Sequence, residues 1–220
     1  MEAQFMETLV YNNVKSNNST SYLFIKRLID IIGSLVGIIL LSPIFFVAAI
    51  AIKIEDPRED ALFGQDRNGQ WSKVFKMYKF RSMVSNAEER LNELKYKNEM
   101  SGPVFKIKKD PRITQVGKFI RRTSIDELPQ LFNVLMGDMS LVGPRPPIPR
   151  EVAQYTAYQR QRLLVKPGLT CIWQVSGRSS IDFDEWVDLD IKYIRERNLL
   201  LDIKLILKTI PVLLGDSNAA

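Results

Sequence analysis

The sequence predicts an α+β, mostly helical fold, in which a small compact domain is carried on an apolar helix near its N-terminal end. Three observations predict it. Ile31 to Ile52 is an unbroken run of 22 residues without a charge, long enough to be a membrane segment. Lys73 to Arg81 reads as extended chain, with Gly69 at a bend before it. Most later segments show helical spacing between Gly and Pro breaks. With 220 residues, the chain has room for one domain with a real core but not for two full ones. The expected boundaries are a polar, Asn- and Ser-rich flexible tail over 1–21, a membrane helix over 22–54, a compact membrane-associated domain over 55–214, and a short tail over 215–220.

As a straight helix the apolar run would reach about 33 Å at about 1.5 Å per residue, enough to cross a hydrocarbon core. It starts well inside the chain and lacks a small-residue cleavage pattern, so it is expected to be retained. Ser42 and Pro43 interrupt its middle. Pro43 cannot donate to the carbonyl of Ile39, and the Ser42 hydroxyl is placed to occupy a nearby carbonyl and favour a bend. Lys26 and Arg27 precede the run, and Lys53, Arg58 and Arg67 follow it. Basic residues mark the cytoplasmic side, so both ends look cytoplasmic, as a re-entrant hairpin broken at Ser42-Pro43 requires. The residues alone leave spanning and re-entrant forms open, because membrane helices tolerate proline.

Beyond the anchor, EDPRED marks a turn. In an extended Lys73–Arg81 stretch, Lys73, Lys79 and Arg81 point to one face, which is either a solvated strand face or part of a site. A short polar helix is expected over 85–100, ended by SGP. Helices are also expected over EVAQYTAYQRQRLL and FDEWVDLDIKYIRER, with a short extended piece in KPGLTCIWQVSGRSS. The last stretch, LLLDIKLILKTIPVLL, reads as an amphipathic helix, lying on a membrane surface or buried.

Composition narrows the chemistry. There is no histidine, which removes the commonest general base and metal ligand and every Ser-His or Cys-His arrangement. The single cysteine, Cys171, cannot form an internal disulfide, so nothing asks for an oxidising compartment. A net charge of +6 suggests an anionic partner. No basic tail, zinc spacing or recognition helix supports nucleic acid.

The information is densest in RRTSIDELPQL, where two arginines, two hydroxyls and the adjacent carboxylates Asp126 and Glu127 meet at an apparent helix start marked by Pro129. Ser124 with Glu127 matches a capping box, and Asp126 could itself cap. However, Arg121 and Arg122 lie just upstream, and GDMSLVGPRPP supplies Arg145 in a loop stiffened by Pro144, Pro146 and Pro147. Guanidinium groups grip phosphate oxygens and keep their charge. A carboxylate nucleophile attacking a phosphoanhydride needs such company, because two anions must otherwise meet.

At these residues the sequence resembles the bacterial sugar transferases, the monotopic phosphoglycosyl transferases that start capsule, exopolysaccharide and glycan assembly. The matching stretches are FIKRLIDIIGSLVGIILLSPIF, YKFRSM, DPRITQVGKFIRRTSIDELPQLFNVLMGDMSLVGPRPP and KPGLTCIWQVSGRSS, then DLDIKYI and LDIKLILKTI. The resemblance runs from about Tyr22 to Leu214. It implies a re-entrant hairpin broken at Ser42-Pro43, on the cytoplasmic face of a bacterial inner membrane.

The resemblance also implies the reaction. A UDP-sugar is attacked at its sugar-proximal phosphorus by Asp126, UMP leaves, and undecaprenyl phosphate takes the phosphosugar from the enzyme. Glu127 matches a magnesium ligand, with Asp126 beside it at the metal. Arg121, Arg145 and Arg178 match arginines linked to phosphate or nucleotide binding, and Lys79, Arg81 and Asp190 are carried over as further substrate-site positions. The partners implied are the UDP-sugar donor, the lipid acceptor and membrane lipid, with a homo-oligomer left open. A hexose 1-phosphate is the mildly preferred cargo. With only a short tail before the hairpin, the chain is expected to be a short-form member. Cys171 and Ser72 stand where relatives often have glycine, which bears on local backbone geometry. Two rivals remain. One is a metal-dependent glycosyltransferase that uses Asp188-x-Asp190 and releases UDP. The other is a non-catalytic anchored protein whose basic patch binds anionic lipid.

Overall fold

The structure, a computed structural model, describes residues 16–107, 109–176 and 181–213. Its first element, α1, spans Thr20–Glu55 and is capped by Ser19, whose hydroxyl accepts from the Tyr22 amide. It is long and apolar enough to cross a membrane. The helix is continuous through Pro43 rather than two separate halves. The interruption is local: Ser42 Oγ donates to the Ile39 carbonyl at 2.8 Å, the acceptor that Pro43 leaves without its usual donor.

Both ends of α1 are bound to the rest of the molecule. Near its start, the buried Lys26 ammonium donates to the Val142 carbonyl at 3.0 Å and the Tyr193 hydroxyl at 3.3 Å, and pairs with Asp202 at 3.0 Å. Asp30 accepts from Ser140 Oγ at 3.0 Å and the Leu141 amide at 2.9 Å. Gly33 lets the helix close on this region, since a Cβ there would lie 2.7 Å from Leu141 Cδ1. Near its end, Ala48 and Ile52 pack with Phe80 and Ile120, and Phe45 meets Phe80 and Phe132 edge-on at 5.6 and 5.9 Å. Between these anchors the apolar surface is bare, with Ile39 61 %, Leu40 72 % and Phe46 69 % exposed.

Strands β1 (Leu62–Asn68) and β2 (Val74–Phe80) form an antiparallel hairpin in which Leu62 pairs with Phe80 and Asn68 with Val74. The Lys73–Arg81 stretch is thus extended as its pattern indicates, and β1 adds a partner that begins before the RNGQ segment. Phe75 and Met77 bury one face of β2. Lys79 follows on that same face, so it points inward rather than to solvent. The connecting bend puts Trp71 and Ser72 at φ 58° and 60°. Ser72, where relatives often carry glycine, therefore sits in the left-handed region.

Helix α2 (Gln115–Arg122) starts at Thr114, whose hydroxyl accepts from Gly117 at 2.9 Å. The Glu55 carboxylate at the end of α1 also accepts from the Gln115 amide at 2.8 Å, placing an anion where the helix dipole favours one. A 3₁₀ turn, Ile125–Glu127, leads to α3 (Gln130–Met136), which ends at Gly137 with φ 94°. Strands β3 (Ser140–Val142) and β4 (Gly168–Thr170) form a short parallel pair. Helices α4 (Phe183–Glu196) and α5 (Leu199–Leu213) complete the fold. The main core gathers Val142, Leu163, Cys171, Phe183, Trp186, Ile191, Ile194 and Leu205. Each large apolar side chain buried there contributes on the order of 1.5–3 kcal/mol.

Two expected helices are shorter than the pattern suggested. Over 85–100 the α-helix is a single turn, Leu91–Leu94, followed by a 3₁₀ turn, since few apolar positions there can hold a helix against a core. Over EVAQYTAYQRQRLL, two separate turns, Pro149–Val152 and Ala157–Arg160, are followed by 3₁₀ geometry. The break is written in the sequence. Thr156 and Gln159 form a reciprocal capping box that restarts the helix.

Cys171 is fully buried and is absent from the positive-φ residues of the described chain, so its replacement of glycine brings no backbone strain. Ser72 differs. Ser72→Val should lower stability by about 1 kcal/mol, while Ser72→Gly should not lower it, as read by thermal denaturation in detergent.

Candidate active site

The carboxylates sit at a turn between two helices, both of which touch α1. After α2, Ser124 adopts φ 54°, ψ 15°. This left-handed kink swings the chain so that Asp126 and Glu127 follow on one tight 3₁₀ turn. The capping roles open to these residues are not taken up. Ser124 makes no side-chain cap bond, and α3 begins after Pro129 without a side-chain cap. Both carboxylates instead line a cleft of about 1200 Å³, large enough for a drug-sized or bigger ligand. Among the described residues, ten Lys and Arg against six Asp and Glu line it, so the cleft favours an anion.

Lys79 reaches Glu127 Oε1 from β2 at 2.8 Å, and Arg145 approaches the same oxygen at 3.9 Å. Lys79 is positioned by Asn133 of α3. That buried amide accepts from the Tyr78 backbone at 2.9 Å and donates to the Lys76 carbonyl at 2.8 Å, so one side chain takes the place of a neighbouring strand. Burial holds the Lys79 ammonium below its usual range, with Glu127 and Asp126 acting in the opposite sense.

Asp126 is only 8 % exposed. Burial foremost, opposed by Lys79 and reinforced by the Glu127 charge, pushes its carboxyl up to about 6. Arg121 and Arg145 both lower it, which places two guanidinium groups within electrostatic reach of the carboxylate. Five of the sequence-predicted residues, Lys79, Arg121, Arg145, Asp126 and Glu127, are thus brought together at one cleft.

The remaining expected residues lie differently. Arg81 lines the cleft but is held outward, donating to the Asp60 carbonyl at 2.8 Å and pairing with Glu59 at 3.1 Å. Arg178 lies outside the described residues. Asp190 does not line the cleft. It is completely buried on α4 and paired with Arg162 at 2.8 Å. The Asp188-x-Asp190 reading loses its geometry too, because Asp188 is exposed and accepts from the Tyr158 hydroxyl at 2.7 Å. Side chains two positions apart on a helix cannot share one ion when one faces water and the other the core.

Two arginines that the sequence reading did not single out for the site also line the cleft wall and brace its Arg145 loop. Arg67, noted only as a flanking charge, donates to the Pro146 carbonyl at 2.8 Å and twice to Gln65. Arg162 donates to Asp190, the Tyr155 hydroxyl and the Arg145 carbonyl. No local motif announces either. The only available signal was the apolar run LLV that follows Arg162.

The raised carboxyl of Asp126 has a consequence for stability. Its folded value, about 6, lies above the ordinary 3.8, so the folded state binds the proton more tightly and loses stability as pH rises through this window. Above the window the penalty is complete, up to about 3 kcal/mol. Asp126→Asn should therefore melt higher than the parent chain at pH 7.5 in the presence of a chelator. The gap should close below about pH 4, where both states hold the proton; equal melting at pH 7.5 would contradict the burial argument.

Comparison with known proteins identifies the family. The family model described as "Bacterial sugar transferase" matches residues 21–216. The chain is 49 % identical over 205 residues to "Galactosyl transferase CpsE" of Streptococcus agalactiae serotype III, covering 90 % of this chain and 44 % of that protein. It is 44 % identical over 214 residues to "Undecaprenyl-phosphate galactose phosphotransferase" of Salmonella typhimurium, covering 96 % of this chain and 44 % of that one. It is also 36 % identical over 190 residues to "Exopolysaccharide production protein ExoY" of Rhizobium meliloti, covering 84 % of each. The chain spans less than half the length of the first two relatives and most of the third. Across nearly all of its described residues, from the start of the apolar helix through the carboxylate turn to the last helix, this chain belongs to the bacterial sugar transferase family.

Proposed function

We propose that the chain moves a sugar 1-phosphate from a UDP-sugar to undecaprenyl phosphate and releases UMP, through a covalent phosphosugar ester on Asp126. The observation that carries this reading is a buried carboxylate, adjacent to a second one, in a cleft whose other charged groups at that point are Lys79, Arg121 and Arg145. A simple anion binder has no use for a desolvated carboxylate there. A nucleophile does, because desolvation leaves it more reactive while the flanking cations allow the anionic phosphorus centre to approach.

In the first half-reaction an Asp126 oxygen bonds to the sugar-proximal phosphorus as the bond from that phosphorus to the bridging oxygen breaks. The electron pair leaves with UMP. In the second half, an oxygen of the lipid phosphate attacks the same phosphorus and Asp126 departs as carboxylate. Arg145 and Arg121 bind and orient the phosphates, and Lys79 holds Glu127 in place. The donor set fits a magnesium ion. It offers two adjacent carboxylates, and among the described residues no group of three acidic or cysteine side chains competes with them. The other positions would fall to phosphate oxygens and water, as this hard cation prefers. Glu127 and Asp126 would hold the ion, which when bound neutralises diphosphate charge. Relatives' names include both galactose and N-acetylgalactosamine, so UDP-galactose and UDP-N-acetylgalactosamine are the first donors to try.

The membrane reading follows from the two ends of α1. Lys26 and Asp30 at one end and Glu55 at the other bind the same folded body. A helix so held keeps both ends on one side of a bilayer, while its bare apolar middle enters one leaflet. This supports a re-entrant anchor with the cleft on the cytoplasmic face of the inner membrane.

Asp126→Asn should abolish UMP release by at least about 10³-fold, with the radiolabelled phosphosugar adduct of the parent chain missing from the variant; retained transfer would sink the reading. For the anchor, the buried Cys171 gives little background, so Ser19→Cys and Arg58→Cys should both react with an impermeant maleimide from the same side of inverted vesicles. Labelling from opposite sides would show a spanning helix.

A further inference from the structure

The loop carrying Arg145 is GPRPP, in which Pro144, Pro146 and Pro147 have no backbone N–H to give. Apart from the Gly143 amide, which donates to the Thr170 carbonyl at 2.9 Å, it is held through its carbonyls. All four consecutive carbonyls are taken. Pro144 O accepts from the Gly168 amide of β4 at 2.9 Å, and Pro147 O from the Asn68 amide of β1 at 2.8 Å. Between them, Arg145 O accepts from Arg162 Nη2 at 3.3 Å and Pro146 O from Arg67 Nη1 at 2.8 Å.

The two side-chain donors are unusual in their burial. Arg162 is 2 % exposed and Arg67 8 %, and removing a guanidinium from water is costly unless each donor finds an acceptor. Arg162 meets that condition through Asp190 at 2.8 Å and the Tyr155 hydroxyl at 2.8 Å, and lies over the Trp186 ring at 5.0 Å. Arg67 does so through Gln65 at 2.6 Å and 3.1 Å. Each is a rigid planar fork that reaches its brace and the loop through different nitrogens.

We propose that Arg162 and Arg67 are positioning residues, which clamp the Arg145 and Pro146 carbonyls so that the Arg145 guanidinium is presented to the phosphates, and that Asp190 acts by holding Arg162. This rests on the function proposed above for the cleft. It replaces the expected place of Asp190 among substrate-binding groups with one behind Arg162. A lysine is not equivalent to either arginine, because its one nitrogen cannot reproduce donors spread over the guanidinium plane.

The test is a pair of double-mutant cycles on the full chain in detergent, read on kcat/KM for UMP release from UDP-galactose and, in parallel, on affinity for UDP by calorimetry. Arg145→Ala should lower kcat/KM by about 100-fold and Arg162→Lys by about 10-fold or more, mainly through KM. The double variant should be no worse than Arg145→Ala, since a clamp has nothing to position once the guanidinium is gone. Multiplied losses in the double variant, near 10³-fold, would overturn the proposal and leave Arg162 a general prop of the fold. Should Arg162→Lys fail to fold, Arg67→Lys carries the same cycle with the same two outcomes. If the parent chain released no UMP from any of a panel of UDP-sugars with undecaprenyl phosphate present, the proposed reaction would fall, while the cycle on UDP affinity would still decide the clamp.

Discussion

The whole arrangement depends on how the apolar helix is tied to the body it carries. Arg27 of α1 donates to the Val134 and Leu135 carbonyls at the end of α3, and Glu55 accepts from the first amides of α2. These are the free ends of two helix dipoles, and each meets the charge it favours. The turn bearing Asp126 and Glu127 lies between α2 and α3. One long helix thus grips the outer ends of both helices that frame the carboxylates, so the depth of the anchor and the height of the site are a single variable.

Burial then sorts the charged groups by what they can do. Lys26, Asp202 and Tyr193 form a closed set around the Val142 carbonyl, a fixed joint between α1, β3 and the last two helices. Asp190 and Arg162 form another behind the cleft. At the carboxylate turn the pairing is incomplete by comparison. Lys79 is committed to Glu127, while Asp126 is desolvated beside the Glu127 charge, which raises its affinity for a proton against the pull of the nearby cations. The contrast separates groups that hold the fold from groups left available for a ligand.

Much of this was legible in the sequence, wherever the physics is local. The apolar run, the Ser42 hydroxyl standing in at the Ile39 carbonyl, the extended β2 and the helix over Phe183–Glu196 each follow from neighbours a few residues apart. The grouping of Asp126, Glu127, Arg121 and Arg145 was readable because they lie within 25 positions of one another. What escaped is long-range. Asn133 stands in for a strand 55 residues away, and Arg67 reaches a carbonyl 79 residues away. Asp190 was carried over from the family resemblance as a substrate-site position, yet helical phase turns it to the core. The two shortened helices were lost for a different reason, that helical spacing without enough apolar surface, or with an internal capping box, does not sustain a helix.

The bare middle of α1 has a mechanical consequence. An anchor that returns to the side it came from adds cross-section to one leaflet and none to the other. On the proposed topology, each copy acts as a wedge, and lipids whose own shape already crowds or relieves that leaflet would set how comfortably the protein sits. Because anchor depth and site height are one variable, leaflet strain would be felt at the carboxylate turn.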